Sequence, residues 1–483
     1  MDLMHRDEPV TADSPPTAAN RLAEWAAALR LEDIPDNVRR AACRHLLDGL
    51  GCAVGAARAR VGSPALAVAA GLGGPPDALP LHGGPRLGSP AAALADGVLV
   101  HALDFDDTHA AGFVHPTAVV LPVAFSVGQE VGATGGEVLT AAIIGYETIC
   151  RIGAAAPYGF HARGLHATAV CGPLAGAAVA ARLMGLDAAT TVNALGIAGS
   201  SSGGLMEFLA AGASTKQLHP GMAAMSGVIA ARLAASGADG PSTVLEGERG
   251  IYGALSARPA EASLVTSGLG QTWEVCRITI KAYPSCGLTH AALDAAKLLR
   301  DQLDGDAMSD LEIQVHPDAA AYVGWPDEAR RRPRTVYDAK FSLPWSVAAL
   351  LIDGEVTVDT YSPRMLERED IAAIAARART TALESPLGAA DAPARLVARL
   401  QDGSVRKAAV PGRAAGAPDP LGTRAVRAKF LANAGPDSEA LADLILDLEA
   451  QPSLAEIGEL AAALGAHGRS TDRRRRATGG EAG

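Results

Sequence analysis

A chain of 483 residues is long enough for two separate cores, and a formal net charge of −11 disfavours nucleic acid or an anionic membrane as a partner. Hydrophobic residues make up 48% of the chain but aromatics only 4%, so Ala, Gly, Leu and Val must fill the interior, which favours closely packed helices over sheet. The six cysteines, Cys43, Cys52, Cys150, Cys171, Cys276 and Cys286, contain no Cys-x-x-Cys pair, which argues against a disulfide framework and against thiolate metal sites.

Residues 1–17 read as a disordered lead-in, with acidic residues and Pro15-Pro16 where a signal peptide would need an apolar run. From Ala18 the spacing is helical. Leu22, Trp25 and Leu29 share one face, and Pro35 marks the start of a second helix carrying Val38, Ala42, Leu46 and Leu50. Further helices are expected at 91–104, 116–131, 136–153, 166–184, 188–199 and 220–236. Thr134-Gly-Gly-Glu137 reads as a capping box, and Gly185 as a C-cap ahead of Asp187. The apolar stretches are too short to span a bilayer, so no membrane partner and a cytoplasmic location are expected.

The pattern changes near Thr272. Cys276, Ile278 and Ile280 alternate with polar residues, as do Leu311, Ile313 and Val315, which is the period of a half-buried strand. Segments 395–400 and 405–410 flank Asp402-Gly403, a hairpin signal. Helices are expected between them near 287–302, 342–353 and 369–382. A Pro/Gly-rich linker at 411–420 then leads back to helix at 426–434 and 438–448, with an unstructured tail from Gly468 that holds four arginines at 473–476. The predicted fold is mostly α: a helical domain over 18–271 and 411–467, with a smaller α+β lid domain, 272–410, inserted into it, and a disordered tail over 468–483.

Polar groups concentrate in His101-Ala-Leu-Asp-Phe-Asp-Asp-Thr-His109 and His115-Pro116, at a helix end and the loop beyond. Asp106 and Asp107 suit helix-terminal or Asx-turn roles. Asp104, Thr108 and His115 are the stronger candidates, because a loop between helices is where a scaffold presents functional groups. His166 opens a long Ala/Gly-rich helix, where free N–H groups favour a carboxylate, whereas His161 reads as structural. Ser200-Ser-Ser-Gly-Gly204 reads equally as a flexible turn or an anion-holding loop. Lys216 precedes another helix, and Lys281 falls on the polar side of a strand at the domain junction, a favoured place for a small-ligand site. The 330–334 arginine cluster before Lys340-Phe-Ser342 reads as a solvated positive region.

In order and spacing, Asp104-Phe-Asp-Asp-Thr108, His115-Pro116, Gly145-Tyr-Glu147, Leu165-His-Ala-Thr168, Thr215-Lys-Gln-Leu-His-Pro-Gly221, Ile280-Lys-Ala-Tyr-Pro-Ser-Cys286 and Ala339-Lys-Phe-Ser342 resemble the MmgE/PrpD family, with Pro420-Leu421 and Lys429-Phe430 near the end of the match. Its members include 2-methylcitrate dehydratase, cis-aconitate decarboxylase and iminodisuccinate epimerase. The resemblance implies a helical domain with an inserted lid, a homodimer, and a site between the domains with no metal or organic cofactor. Carried over by motif, His115, Asp104 and Thr108 are the expected catalytic residues, and His166, Lys216 and Lys281 the expected substrate-binding ones. The family's decarboxylases carry a tyrosine in the lid helix where this chain has Trp345, an N–H donor that cannot act as a phenol acid or base.

The reaction so implied moves a proton at a carbon next to a carboxylate of a small polycarboxylate, and fixed cations must stabilise the anion that forms. Lys216, Lys281 and His166 would hold carboxylates, and His115 would transfer the proton with Asp104 and Thr108 in support. A lyase of the 2-methylcitrate dehydratase type is the leading expectation, with an isomerase, epimerase or decarboxylase of a related acid beside it. Two other classes stand against these: a metal-dependent hydrolase using Asp104, Asp106, Asp107, His109 and His115 as ligands, and a non-catalytic carboxylate-binding dimer.

Overall fold

The computed structural model describes residues 15–303, 308–413 and 421–478. The first helix, Ala18–Ala28, is capped by Thr17, whose side chain accepts from the Asn20 backbone N–H at 3.2 Å. Residues 1–14, most of the expected lead-in, lie outside the described residues. The next long helix, Asp36–Arg58, begins directly after Pro35. Helices Ser89–Ala102, Thr117–Val131, Gly135–Ala154, Ala167–Leu183, Ala188–Gly199 and His219–Ala235 then follow within a turn of their expected positions. They share one core built largely of Ala, Leu and Val.

The small residues have a direct consequence for the site. A Cβ added at Gly97 would stand 2.6 Å from the Gly221 Cα, and one at Gly227 would stand 2.6 Å from the Gly176 carbonyl carbon. Only glycine permits such close backbone approach. The Gly97–Gly221 crossing brings the C-terminal end of helix Ser89–Ala102 against the start of helix His219–Ala235. His101 and Asp104 follow that crossing on one chain segment, and Lys216 precedes it on the other.

The second core belongs to the smaller α+β domain, packed from helices His290–Arg300, Leu343–Asp353 and Glu369–Arg377 against a four-stranded sheet. Two short strands elsewhere, β1 (Thr108–His109) and β2 (Ile278–Thr279), pair antiparallel with each other. The domain's sheet contains β3 (Met308–Val315), β4 (Ala378–Ala382), β5 (Ala394–Leu400) and β6 (Val405–Val410) in the order β4-β3-β5-β6. β3 and β4 are parallel; the other neighbours are antiparallel. The hairpin turns at Asp402-Gly403, where Gly403 has φ +85°.

Three expectations need correction. The strand expected over 276–281 does not start the α+β domain. Val275, Ile278 and Ile280 point into the large helical core, and the strand pairs with the loop at 108–109, so the chain crosses between domains beyond Lys281 rather than at 272. The segment 369–382 is not one helix: it switches at Ala378 to β4, where Ala378 and Thr380 are buried and Arg379 is exposed in register with β3. The last helix, Ala455–Thr478, continues through most of the tail expected to be unstructured, its backbone propagating through helix-favouring Ala and Arg. Most of the linker expected at 411–420 lies outside the described residues.

After residue 420 the chain returns to the first core through Val426, Phe430, Leu441, Ile445 and Ile457. The architecture is mostly α, with a smaller α+β domain inserted into a large helical one. No helix among the described residues is long and apolar enough to cross a membrane.

The Gly145-Tyr-Glu147 motif is structural. Glu147 Oε2 accepts from Arg151 Nε at 2.8 Å and Oε1 accepts from the Val275 N–H, while Arg151 also donates to the carbonyls of Ser267 and Thr272. Both side chains are almost fully buried. Arg151→Met leaves Glu147 without its counter-charge and frees the segment leading to β2, so urea unfolding is expected to show a loss of about 3–5 kcal/mol.

Candidate active site

Helix Ser89–Ala102 ends in a turn that Asp104 completes at φ +51°, a left-handed conformation that costs a non-glycine residue energy and is often kept for function. The turn directs both the carbonyl and the carboxylate of Asp104 at lysines. Lys281 Nζ donates to Asp104 Oδ1 at 2.7 Å and to its carbonyl at 3.0 Å; Lys216 Nζ donates to the same Oδ1 at 3.2 Å. Asp104 is fully buried, and its Oδ2 has no hydrogen-bond partner. Burial works to raise its pKa, but the two ammoniums outweigh it and hold the carboxyl well below the usual range. Burial also opposes charge on Lys281, yet Asp104 and Asp106 outweigh it and push its pKa up.

Lys216 has three N–H donors and faces three acceptors: His101 Nε2 at 2.8 Å, Asp104 Oδ1 at 3.2 Å and His115 Nε2 at 3.4 Å. The match assigns it as an ammonium and both imidazole Nε2 atoms as lone-pair acceptors. The far sides of the rings agree. His101 Nδ1 lies 2.8 Å from the Asp106 carboxylate, and His115 Nδ1 lies 2.9 Å from the Asp107 carbonyl, which can only accept. Both histidines are therefore neutral Nδ1–H tautomers. Thr108 Oγ1 sits 3.2 Å from His115 Nδ1, and Thr168 Oγ1 accepts from the His115 backbone N–H.

His115 is thus unprotonated at Nε2, where its lone pair faces Lys216. Burial, then the Lys216 and Lys281 ammoniums, hold its pKa well below the ordinary imidazole value. A base must be unprotonated to work, so lowering its pKa extends activity toward acid. The pH profile of kcat/KM is expected to stay level as pH falls through about 6.5, where an unperturbed imidazole would titrate. An acid limb centred there would remove His115 from the role.

These groups open on a cleft between the two domains. Asp104, Thr108, His115, His166 and Lys216 all line it. Lys281 does not. It reaches the group from behind Asp104 and lines an adjoining cavity with Thr279, Tyr283 and His290 that shares Thr108, Ala110 and Gly287 with the cleft. His166 makes no side-chain cap at its helix start; Nδ1 lies 3.2 Å from His219 Nδ1, and its buried Nε2 has no partner, an atom left for a ligand.

The sequence reading missed several residues. His161 lines the cleft with its Nδ1 unpartnered, and burial brings its pKa down to about 3. Lys340 is buried: it crosses from the α+β domain to donate to the carbonyls of Leu103 and Pro284. Arg330 is likewise buried, beside Asp338. Lys429 binds the Phe105 carbonyl and Asp48, fixing the Asp104 loop from the C-terminal segment. Ser202 of the serine run donates to the Val170 carbonyl, while Gly204 braces the His166 backbone. Asp107 and His109 are scaffolding, on Thr117 and Glu274 respectively.

Residues 20–262 match the MmgE/PrpD N-terminal domain and residues 283–450 the MmgE/PrpD C-terminal domain. The chain belongs to the MmgE/PrpD family. It is 31% identical over 365 residues to a cis-aconitate decarboxylase of Aspergillus terreus, covering 71% of this chain and 73% of the relative. It is 29% identical over 472 residues to the cis-aconitate decarboxylase-like protein oryM of Aspergillus oryzae, covering 90% and 95%. The human cis-aconitate decarboxylase is 30% identical over 299 residues, covering 59% and 60%.

In this MmgE/PrpD chain, Trp345 is not a site residue. It is 2% exposed in the core of the α+β domain, its ring 5.8 Å from that of Tyr361, whereas a different phenol, Tyr322, lines the cleft. His101, His115 and His166, or His101, Asp104 and Asp106, lie close enough to be considered as metal donors. The donor chemistry does not suit a cation, because Lys216 already occupies His101 Nε2 and two ammoniums sit on Asp104 Oδ1. Of the ligands expected for a metal-dependent hydrolase, Asp104 is engaged by the two ammoniums, Asp107 by Thr117 and His109 by Glu274.

Proposed function

We propose that this protein is a lyase acting on a small di- or tricarboxylate by proton transfer at a carbon next to a carboxylate, without a metal or organic cofactor. The observation that carries this reading is the neutral His115 Nε2, held 3.4 Å from the Lys216 ammonium at the floor of the cleft. A base beside a fixed cation suits abstraction of a proton from a carbon acid. The C–H electron pair passes into an enediolate whose new charge the ammonium stabilises. Expulsion of a β-hydroxyl, which takes up a proton and leaves as water, then forms the alkene, as in a 2-methylcitrate dehydratase.

Decarboxylation is the second reading, favoured by the relatives named cis-aconitate decarboxylases. There the C–C bond to the departing carboxylate breaks, and the carbanion takes a proton from the Lys216–His115 pair. Trp345 lies buried away from the cleft, and a different phenol, Tyr322, lines it. We also propose a cytoplasmic homodimer; the exposed Met222, Ile229 and Leu233 on one side of helix His219–Ala235 offer an apolar surface for a second copy.

The test is proton NMR of the chelator-treated protein with 2-methylcitrate, citrate and cis-aconitate. Activity is expected to survive chelation; a new alkene identifies elimination, and loss of carbon dioxide identifies decarboxylation. Activity abolished by chelation and restored by a divalent metal would overturn the cofactor-independent reading.

A further inference from the structure

The lining of the cleft is sharply divided. Its polar groups gather at the floor around Lys216, which among the described lining residues is the one cationic side chain. The neighbouring buried ammoniums are engaged elsewhere, Lys281 on Asp104 and Lys340 on two backbone carbonyls. The rest of the wall is formed by Phe113, Met206, Phe208, Leu288, Tyr322 and Phe341, from both domains. The Tyr322 hydroxyl is turned to Met206 Sδ at 3.0 Å. One neutral imidazole, His161, packs beside Phe113 and Tyr322 in this wall; over the rest of it a carboxylate would lose hydration and gain no donor in exchange.

Phe113 adds an independent sign that the wall is built for binding. It holds φ +53°, a conformation a bulky residue adopts only when its surroundings impose it, with its ring 5.4 Å from Tyr158 and 5.3 Å from His161. Met206 supplies an unbranched side chain that adapts to irregular apolar shapes.

We propose that the substrate is a polycarboxylate whose carboxylates are gathered at one end, around Lys216 and His166, and whose other end is an alkyl or aryl substituent of several carbons lying on this wall. The inference rests on the polycarboxylate reading above and narrows it. An acid with a carboxylate at each extremity places one of them on hydrocarbon, whereas a 2-alkylated acid places its chain there.

The experiment is calorimetric titration of the full-length protein with maleate and its 2-methyl, 2-propyl and 2-pentyl derivatives. The dissociation constant is expected to fall about two- to fourfold for each added methylene until the wall is covered. Met206→Gln and Leu288→Gln, both at half-buried positions, should each flatten that dependence. A dissociation constant that is unchanged or rises with chain length in the unmodified protein would overturn the apolar substituent while leaving the polycarboxylate reading in place. Failure of every diacid, maleate included, to bind would overturn the polycarboxylate reading itself.

Discussion

Asp104→Asn is expected to cost about 3–5 kcal/mol of stability and to lower kcat/KM by two orders of magnitude or more. The substitution keeps the shape of the side chain and an oxygen that can accept. It removes the carboxylate charge that contacts both buried ammoniums, at 2.7 and 3.2 Å. Lys281 suffers most, because its other partner at the site is the neutral Asp104 carbonyl. Removing that lysine as well should recover part of the loss, so Asp104→Asn combined with Lys281→Met is expected to be more stable than the sum of the single variants predicts. Urea unfolding of the three variants checks this. Simple additivity would mean that Asp104 and Lys281 do not act as a pair.

His115→Gln is expected to reduce kcat/KM by about 10²–10⁴ while leaving thermal stability within about 1 kcal/mol of the parent. Glutamine can still accept from Lys216 but cannot take up a proton. The His115 ring lies at the cleft edge of the buried cluster, and its backbone N–H bond to Thr168 survives the change. Steady-state kinetics beside a melting curve separates the two effects. An equal loss of stability would make His115 a structural residue.

The helices were legible because their signals are local: caps such as Thr17 and Thr134, and apolar residues at four-residue spacing. Asp104, Thr108 and His115 were legible for a related reason, since one short loop carries all three. What the sequence could not show is direction. Lys281 is where a junction residue should be, yet the left-handed turn at Asp104 draws its ammonium behind the carboxylate and away from the cleft. The alternation at 276–281 forms only a two-residue strand, Ile278–Thr279, after a 3-10 turn over Glu274–Arg277, and its partner β1 lies far back in the chain, which ties it to the helical domain. An Ala-rich stretch at 369–382 looks helical throughout until an open edge of β3 recruits its last residues. The apolar wall was invisible for the same reason as His161: Phe113, Leu288, Tyr322 and Phe341 read singly as core, and only the docking of two domains gathers them at one opening.

In the proposed reaction His115 moves a proton at a carbon next to a carboxylate. Incubation of the protein in deuterated water with 2-methylcitrate, cis-aconitate and a 2-alkylcitrate, followed by NMR, tests it most directly. The expected result is deuterium at that carbon in recovered substrate or product with the parent protein, and its loss with His115→Gln. Decarboxylation or isomerisation of any of these acids without solvent deuterium at that carbon, or deuterium entry or alkene formation undiminished in the variant, would contradict it.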